Sequence, residues 1–366
     1  MLHSLLKRPS ALILASLLFS SPSVNSVIFF STGDPTYNTT APGGTLSNSG
    51  WQYQGLWGGF LGTPIAPKYF ITAAHVGGSI GDPFLYQGTN YLTSAVFDDP
   101  NTDLRIWRVC GTFPRFAPLY TGTSEVGQNL VVFGRGTQRG AEVTTTNFFQ
   151  TRTNGWLWGP YDGVQRWGEN VVTQIVDGGG TLGQSGVGDL LAASFDSDGG
   201  PNECDLSVGD SAGAVFIQDG GVWKLAGINF AVDGPYNTSD ADPGFNAAIF
   251  DQGGLYQWSG TNWVLTPDLP LPQPGSFYST RISSRVDWIN SVLADSNPDD
   301  SLPTLQIAFS AIGPYADVAA ATVDPIARTI TLPQSSGARF YRLRSCRSLQ
   351  ITSIQAQGGN VLLTYE

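Results

Sequence analysis

Short apolar runs, broken by glycine, proline and polar residues, recur along most of this chain. Runs of about four to eight residues bounded by turn residues are typical of β-strands. The pattern predicts strands at residues 69–72, 92–97, 104–109, 130–133, 171–176, 190–195, 214–218 and 223–230. Many short strands at this spacing indicate an all-β barrel or sandwich.

One segment has helical periodicity instead. Residues 283–293 read SSRVDWINSVL, and apolar positions 286, 289, 292 and 293 fall on one helical face. The serine pair at its start predicts a serine N-cap. The polar stretch that follows, residues 294–302, contains a proline and predicts a linker.

After this linker the strand pattern returns. Runs at 304–309, 329–332, 340–343, 349–354 and 361–365 predict a small β-sandwich-like module spanning residues 303–366. This segment contains no histidine and no recognisable site, so its role is not readable from the sequence.

The N-terminus has the pattern of a secretory signal. Lys7 and Arg8 precede an apolar run, 11–19, that is too short to span a bilayer. Val24 and Ser26 suit a cleavage site before Val27, so residues 1–26 are predicted to be removed. We therefore expect a secreted protein, extracellular or periplasmic, with no later membrane span and no visible C-terminal anchor.

Composition argues against one class of partner and leaves the pairing of the cysteines undecided. The formal net charge is −11 and there is no basic stripe, which argues against a nucleic-acid partner. The three cysteines are Cys110, Cys204 and Cys346, an odd number that permits either one bridge or three unpaired thiols. We expect a monomer that requires no cofactor and no metal.

A single histidine limits the chemistry. Outside the predicted leader, which contains His3, the only imidazole is that of His75, so a multi-histidine metal site is excluded. Asp103 opens one predicted strand, and Ser211 lies in the run GDSAG. A serine hydroxyl needs a base to act as a nucleophile, and a buried aspartate fixes the tautomer of that base. The three residues thus predict a catalytic triad.

The glycine two positions before the serine fits the same chemistry. The backbone N–H groups of Gly209 and Ser211 are expected to converge on the oxyanion of a tetrahedral intermediate, and a side chain at position 209 hinders that turn. Losing one such donor raises the barrier by about 3–4 kcal/mol.

Two alternatives compete with this assignment. Asp98 and Asp99 are also candidates for the aspartate, but an apolar strand follows Asp103 directly. The run GDSAG also fits the nucleophile elbow of α/β-hydrolases, which places its histidine after the serine. No histidine follows Ser211 and no alternating strand–helix pattern surrounds it, so this alternative fails.

The motifs together resemble the chymotrypsin/trypsin family of serine peptidases. The similar segments are GFLG (59–62), FITAAH (70–75), NTDL (101–104), FGRG (133–136), GDSAG (209–213), AGI (226–228) and STRIS to WI (279–289). The resemblance covers residues 27–293. It implies two β-barrels with one C-terminal helix, and hydrolysis of polypeptides through an acyl-enzyme as a serine endopeptidase.

The chain also departs from the family pattern. Val76 stands where a cysteine often follows the histidine, and Ala212 replaces the glycine that usually follows the serine. The stretch 233–278 is longer than usual, which predicts an extra hairpin near the substrate cleft. A catalytically weak or inactive homologue, acting as a peptide-binding or extracellular adhesion protein, is the alternative.

Specificity and activation depend on the resemblance alone. It places Asp205 at the floor of the primary specificity pocket, although a solvated loop acid is the preferred interpretation, and it places Val232 at a pocket wall. It also implies that a free Val27 amine pairs with Asp210, although a disordered or strand-like leader over 27–50 is the preferred interpretation. The acidic run 196–200 predicts a polar turn rather than a calcium loop.

Overall fold

The computed structural model describes residues 27–147, 150–181, 186–241, 243–294, 302–346 and 348–366. The predicted signal peptide and residues 295–301 of the predicted linker lie outside these ranges. Short 3₁₀ turns occur at Gly44–Leu46, Trp51–Tyr53, Ala74–Val76 and Ser283–Arg285. The strands of the first part of the chain are β1 (Ile28–Phe29), β2 (Gly55–Trp57), β3 (Phe60–Ala66), β4 (Tyr69–Ala73), β5 (Pro83–Tyr86), β6 (Thr89–Asp98) and β7 (Leu104–Val109).

Strands β2 to β7 form a closed six-stranded barrel, in the order β2-β3-β4-β7-β6-β5. One end of this barrel is filled with aromatic rings, among which Phe70 and Phe84 stack with centroids 3.9 Å apart. Gly55 is required beside them, because a Cβ atom there would lie 2.3 Å from the Phe84 ring. The first barrel therefore has a dense core built from strands that are close in sequence.

The second part of the chain forms a seven-stranded sheet and two three-stranded sheets. Its elements are β8 (Asn129–Gly134), β9 (Thr137–Asn147), β10 (Gln150–Tyr161), β11 (Arg166–Val171), β12 (Gln174–Asp177), α1 (Gly178–Thr181), β13 (Asp189–Ser194), β14 (Cys204–Asp205), β15 (Ala214–Asp219), β16 (Val222–Val232), β17 (Tyr236–Asn237), β18 (Ala247–Ile249), β19 (Tyr256–Trp258), β20 (Trp263–Leu265), β21 (Ser276–Arg281) and α2 (Val286–Leu293).

The sheet has the order β11-β8-β15-β16-β21-β13-β12, so its two edge strands are consecutive in sequence. Only residues 172 and 173 separate β11 from β12, and the sheet must therefore curl until its edges meet. The all-β, two-barrel prediction is confirmed. The prediction of one strand over 171–176 was wrong, because Val172 is buried between the two edge strands and continues the apolar run across the break.

The two barrels share one hydrophobic core. Ile71 and Ile106 of the first barrel and Phe133 and Phe216 of the second belong to the same buried cluster, which Ile289 of α2 also joins. The helix begins at Val286 with Arg285 as N-cap and no side-chain capping bond, so the predicted serine cap was wrong. Ser283 instead donates its hydroxyl hydrogen bond to the buried carboxylate of Glu125.

After α2 the described part of the chain forms a separate group of seven strands. These are β22 (Thr304–Ala308), β23 (Ala316–Asp317), β24 (Thr322–Asp324), β25 (Thr329–Pro333), β26 (Phe340–Arg344), β27 (Ile351–Gln357) and β28 (Asn360–Tyr365). They form sheets ordered β23-β22-β26 and β24-β25-β28-β27 around a core that includes Leu305, Ile330 and Leu363. The predicted β module is present, while the exact domain boundaries stay predictions.

A disulfide joins this module to the first barrel. Cys110, just after β7, is bonded to Cys346, and Arg344 donates a hydrogen bond to the Ser94 carbonyl at 3.0 Å. Cys204 is free and buried, which resolves the cysteine alternatives in favour of one bridge. Among the described residues no helix is both long and apolar enough to cross a membrane.

Candidate active site

His75 and Asp103 are brought together by neighbouring strands. Strands β4 and β7 pair so that Ala73 lies opposite Leu104, which places the residues just beyond these two at the same end of the barrel. The Ala74 N–H donates to the Asp103 carbonyl at 2.6 Å, and the His75 N–H donates to Asp103 Oδ1 at 3.0 Å. His75 Nδ1 lies 2.5 Å from Asp103 Oδ2.

This arrangement fixes the orientation of the imidazole. Asp103 holds both the backbone and the ring of the same histidine, so a proton on Nδ1 is bound and Nε2 is left to accept one. The histidine side chain keeps 38% of its exposure, whereas that of Asp103 keeps 13%. The ring is therefore anchored on its buried side and open on the other, as a general base requires.

The competing aspartates have other partners. Asp98 pairs with Arg105, and Asp99 forms a bidentate pair with Arg285 at 2.6 Å for both bonds. The Asp99 carboxylate also accepts the hydroxyl of Thr102 at 2.8 Å. Within the described residues, Asp103 is the aspartate that contacts the imidazole.

Ser211 lies in a tight turn that begins at Ser207. The Asp210 N–H donates to the Ser207 carbonyl, the Gly213 N–H to the Asp210 carbonyl, and the Ala212 N–H to the Asn229 carbonyl. These bonds tie the turn to β16, the strand that carries Asn229. Ala212 has a φ of +62°, a left-handed conformation that glycine adopts at lower cost, so the methyl group there is accommodated under backbone strain.

Two backbone N–H groups of this turn have no acceptor. Among the described residues, neither the Gly209 N–H nor the Ser211 N–H donates a hydrogen bond, whereas the N–H of Asp210 between them does. Gly209 has a φ of +96°, and a Cβ atom there would lie 2.9 Å from both Gly136 and Tyr161. The turn thus presents two free donors next to the serine, which is the arrangement an oxyanion site requires.

The histidine and serine sides meet at Phe230. The His75 and Phe230 rings lie 5.9 Å apart, and Phe230 lines a cleft of 230 Å³ together with Ser211. The Ser211 side chain makes no hydrogen bond with any described residue, including His75. The structure therefore pairs His75 with Asp103 and places Phe230 between the imidazole and the cleft of Ser211, with no hydrogen bond between His75 and Ser211.

Asp210 anchors the turn from below. It is 1% exposed, its Oδ1 accepts the Gly136 N–H at 2.7 Å, and its Oδ2 accepts the Ser207 N–H and hydroxyl at 2.8 and 2.9 Å. Burial raises the pKa of Asp210 to about 6, although these hydrogen bonds act in the opposite direction. Among the described residues, no cationic side chain pairs with this carboxyl group.

Val27 lies close to this carboxyl group. It is 1% exposed, and a Cβ atom built on Gly134 would meet both Asp210 Oδ1, at 2.1 Å, and Val27 Cγ2, at 2.9 Å. The next two residues form β1, which pairs antiparallel with Cys204 and Asp205 in β14. The start of the 27–50 segment is thus a buried strand, which agrees with a strand-like leader and not with a disordered one.

Asp205 is buried, and its interpretation as a solvated loop acid was wrong. It is 3% exposed because β1 covers its strand, and its Oδ1 accepts the Leu206 N–H at 2.8 Å. Burial raises its pKa well above the usual range. Val232 lies half-buried in the lining of the cleft, whereas Asp205 does not line it.

The predicted acidic turn at 196–200 lies beside a second buried acid. Glu203 is 3% exposed and accepts hydrogen bonds from the Asp196 N–H and from Asn170. Burial raises the pKa of Glu203 to about 8, and the nearby charge of Asp196 adds to this effect. Among the described residues no group of three or more His, Cys, Asp and Glu side chains is arranged to hold a metal ion.

Two residues of the site were missed by the sequence reasoning. Asn229 donates from its side chain to the carbonyls of Phe133 and Asp210, at 2.9 and 3.0 Å, and Phe230 bridges the two sides of the cleft. Both lie directly after the apolar run AGI that was assigned to a strand. The available signal for Asn229 was its polar side chain within an otherwise apolar strand run.

The predicted extra hairpin is present but lies apart from this cleft. Strands β19 and β20 pair within the 233–278 stretch, and β18 pairs with the long β10. None of the described residues between 234 and 278 lines the cleft around Ser211. The inserted strands therefore belong to two separate three-stranded sheets, β18-β10-β9 and β17-β19-β20, and do not line the cleft.

Comparison with known proteins adds little to this picture. No family model matches the chain, and no curated protein matches it. One similar solved structure is mouse neuropsin, described as a serine protease expressed in the limbic system of the mouse brain. It is 15% identical over 67% of this chain and 96% of its own, with a TM-score of 0.39. A match at this level carries no argument about activity, which rests on the residues described above.

Proposed function

We propose that this chain is a secreted serine endopeptidase that hydrolyses peptide bonds through an acyl-enzyme. The observation that supports this most is the Asp103–His75 pair in contact with Phe230, which lines the cleft of Ser211 beside two free backbone donors. Such a set of base, orienting acid, nucleophile and oxyanion donors fits acyl transfer.

The steps follow from the positions of these groups. Ser211 Oγ transfers its proton to His75 Nε2 as it attacks the substrate carbonyl carbon, and the carbonyl oxygen becomes an oxyanion. The N–H groups of Gly209 and Ser211 bind this oxyanion, while Asp103 stabilises the imidazolium. His75 then gives the proton to the leaving amine, and water repeats the sequence to release the acid and restore the serine.

We also propose that the protein matures when the predicted signal peptide is removed before Val27. The nearness of Val27 to the buried Asp210 carboxyl group supports this, because a new α-ammonium group at Val27 would supply the missing cation. The turn that holds Ser211 would then be stabilised by an ion pair as well as by backbone hydrogen bonds.

Hydrolysis of a mixed peptide library tests the proposed activity. The mature protein is expected to cleave internal bonds, and Ser211→Ala is expected to abolish cleavage. Ser47→Ala, at an exposed serine with no side-chain hydrogen bond to a described residue, is the matched control and should retain full activity. Cleavage that persists in folded Ser211→Ala contradicts the proposal.

A further inference from the structure

The cleft beside Ser211 has walls that are mostly apolar. Ser211 lies at one side of the 230 Å³ space. The apolar side chains that line it come from Trp158, Leu206, Val208, Phe230, Ala231 and Val232. A cleft next to the attacking hydroxyl must receive the side chain adjacent to the scissile bond, because the reacting carbonyl has to lie within bonding distance of Ser211.

The carboxylate and amide side chains that line the cleft already have hydrogen-bond partners, and the indole N–H of Trp158, which has none among the described residues, is a donor and does not attract a cation. Both oxygens of Asp210 accept hydrogen bonds, from Gly136 and from Ser207. Asn229 donates to two backbone carbonyls, and its Oδ1 accepts the hydroxyl of Ser279 at 3.1 Å. These groups are committed to holding the turn, so none of them is left to bind an incoming ammonium or guanidinium group.

Asp205 does not supply the missing acceptor. It is absent from the lining of the cleft, it is 3% exposed, and its strand is covered by β1. Burial also raises the pKa of its carboxyl group, which favours the uncharged form. The acid that the family resemblance places at the pocket floor therefore has neither the position nor the charge to pair with a substrate cation.

We infer that this cleft selects an uncharged, apolar side chain at the residue whose carbonyl Ser211 attacks, and that Asp205 does not take part in this selection. The inference rests on the proposed function and names its substrate class. An apolar side chain gains from burial against these walls, whereas a lysine or arginine loses hydration without gaining a partner. Acidic side chains are disfavoured for the same reason.

Peptidyl phosphonate probes that differ only in this side chain test the inference on the mature full-length chain. Their rates of covalent attachment, read by intact mass, report recognition without requiring efficient turnover. Leucine and phenylalanine probes are expected to react about 100-fold faster than lysine and arginine probes, since an unpaired charge is costly to bury. Asp205→Asn should leave this ranking unchanged.

A gain-of-function variant keeps the test independent of loss of folding. Val232→Asp places a carboxylate in the cleft lining, and it should raise the rate of the arginine probe at least tenfold relative to the leucine probe. Val222→Asp puts the same charge at the exposed start of the same strand β16, and it should leave the ranking unchanged.

The outcomes separate this inference from the proposed function. Faster lysine and arginine labelling of the unmodified protein, reduced by Asp205→Asn, overturns the inference while supporting an active serine. Equal labelling by all probes also overturns it. No labelling by any probe, including a fluorophosphonate without a peptide, contradicts the proposed function and the inference with it.

Discussion

The two sides of the cleft are built in different ways. On the histidine side, Asp103 contacts both the backbone and the ring of His75, and the two residues follow adjacent strands of a closed barrel. On the serine side, Ser211 has no hydrogen-bonded partner among the described residues, and its turn is held by contacts from distant segments. Those contacts come from Gly136, Asn229 and the segment starting at Val27.

This difference indicates which substitutions should affect catalysis alone and which should also affect the stability of the fold. The histidine side depends on local strand pairing, so it forms together with the first barrel. The serine side depends on residues far apart in sequence, and one of its contacts is a residue that becomes a chain end if the predicted signal is removed. Changes on the histidine side should therefore affect chemistry alone, while changes on the serine side should affect chemistry and stability together.

The largest effect is expected on the histidine side, from Asp103→Asn. The amide holds the imidazole in the wrong tautomer, so kcat should fall about 10⁴-fold while the thermal unfolding midpoint changes little. Steady-state kinetics on a peptide substrate measures this. Asp98→Asn, which removes the exposed ion pair with Arg105, is the control and should keep its activity. A decrease of only a few fold in Asp103→Asn would contradict the role assigned to this aspartate.

A smaller effect on kcat, with a loss of stability, is expected from Gly209→Ala on the serine side. The added Cβ meets Gly136 and Tyr161 at 2.9 Å, so the turn must shift and the donor at position 209 moves. Loss of one oxyanion donor should lower kcat about 10²- to 10³-fold.

Gly200→Ala is the matched control for Gly209→Ala. Its φ of +104° imposes a similar backbone cost, yet nothing lies within 4 Å of the added Cβ. It should destabilise the fold without a decrease in kcat. Equal kinetic effects of the two substitutions would rule out a specific role for position 209.

The chain start gives a third test, which separates the two sides by pH. With one alanine added before Val27, Asp210 keeps a pKa of about 6, above its usual 3.8. An acid with a raised folded-state pKa loses stability as pH rises from its unfolded pKa to its folded pKa. The extended form should therefore lose about 2 kcal/mol of unfolding free energy between pH 4 and pH 6.5, because the rise in pKa corresponds to about 3 kcal/mol in full and most of this is lost within that window.

The form that starts at Val27 should not show this loss, since its α-ammonium group stabilises the Asp210 carboxylate. Denaturant titrations of both forms at several pH values measure the difference. A chain with the extra alanine placed after Glu366 controls for length. Identical pH profiles for the Val27 start and the extended start would contradict the proposed ion pair.

Glu203→Gln is expected to leave kcat unchanged, because Glu203 lies outside the cleft lining, and to change only the pH dependence of stability. Burial raises the folded-state pKa of Glu203 to about 8 from 4.5, so the unmodified protein should lose stability as pH rises between these values. The glutamine keeps Oε1 as an acceptor for Asp196 and Asn170 and removes this loss.

The gain in unfolding free energy of Glu203→Gln over the unmodified protein should be near zero at pH 4 and reach a few kcal/mol at pH 9. Thermal unfolding across this pH range measures it, with kcat unchanged. Glu142→Gln, at an exposed glutamate, is the control. A gain that is equally large at pH 4 would show that the substitution acts through packing instead.

The sequence predicted the parts of the fold that have strong local signals. The apolar runs at 104–109, 130–133 and 214–218 correspond to strands β7, β8 and β15. The long strands β9 and β10 were missed, because residues 137–161 mix threonine, glycine and polar residues and their longest apolar run, WLW at 156–158, has only three residues. Their stability comes from pairing with each other and with β18, which is a tertiary effect.

The candidate site was predicted to the extent that its residues carry motifs. His75, Asp103 and Ser211 follow from residue inventory and order; the structure pairs the first two and connects them to the cleft of Ser211 through Phe230. The burial of Asp205 could not be predicted, because it depends on β1 pairing with a strand about 175 residues later. The roles of Asn229 and Phe230 likewise depend on which strand lies next to the serine turn.

Reaction with a fluorophosphonate probe tests the central claim most directly. The mature protein starting at Val27 is treated with the probe and its intact mass is measured, next to Ser211→Ala. We predict a single adduct on the unmodified protein and none on the variant, which establishes an activated serine with working oxyanion donors. No adduct on the folded protein, or an adduct that persists in Ser211→Ala, would contradict the assignment of Ser211 as the nucleophile.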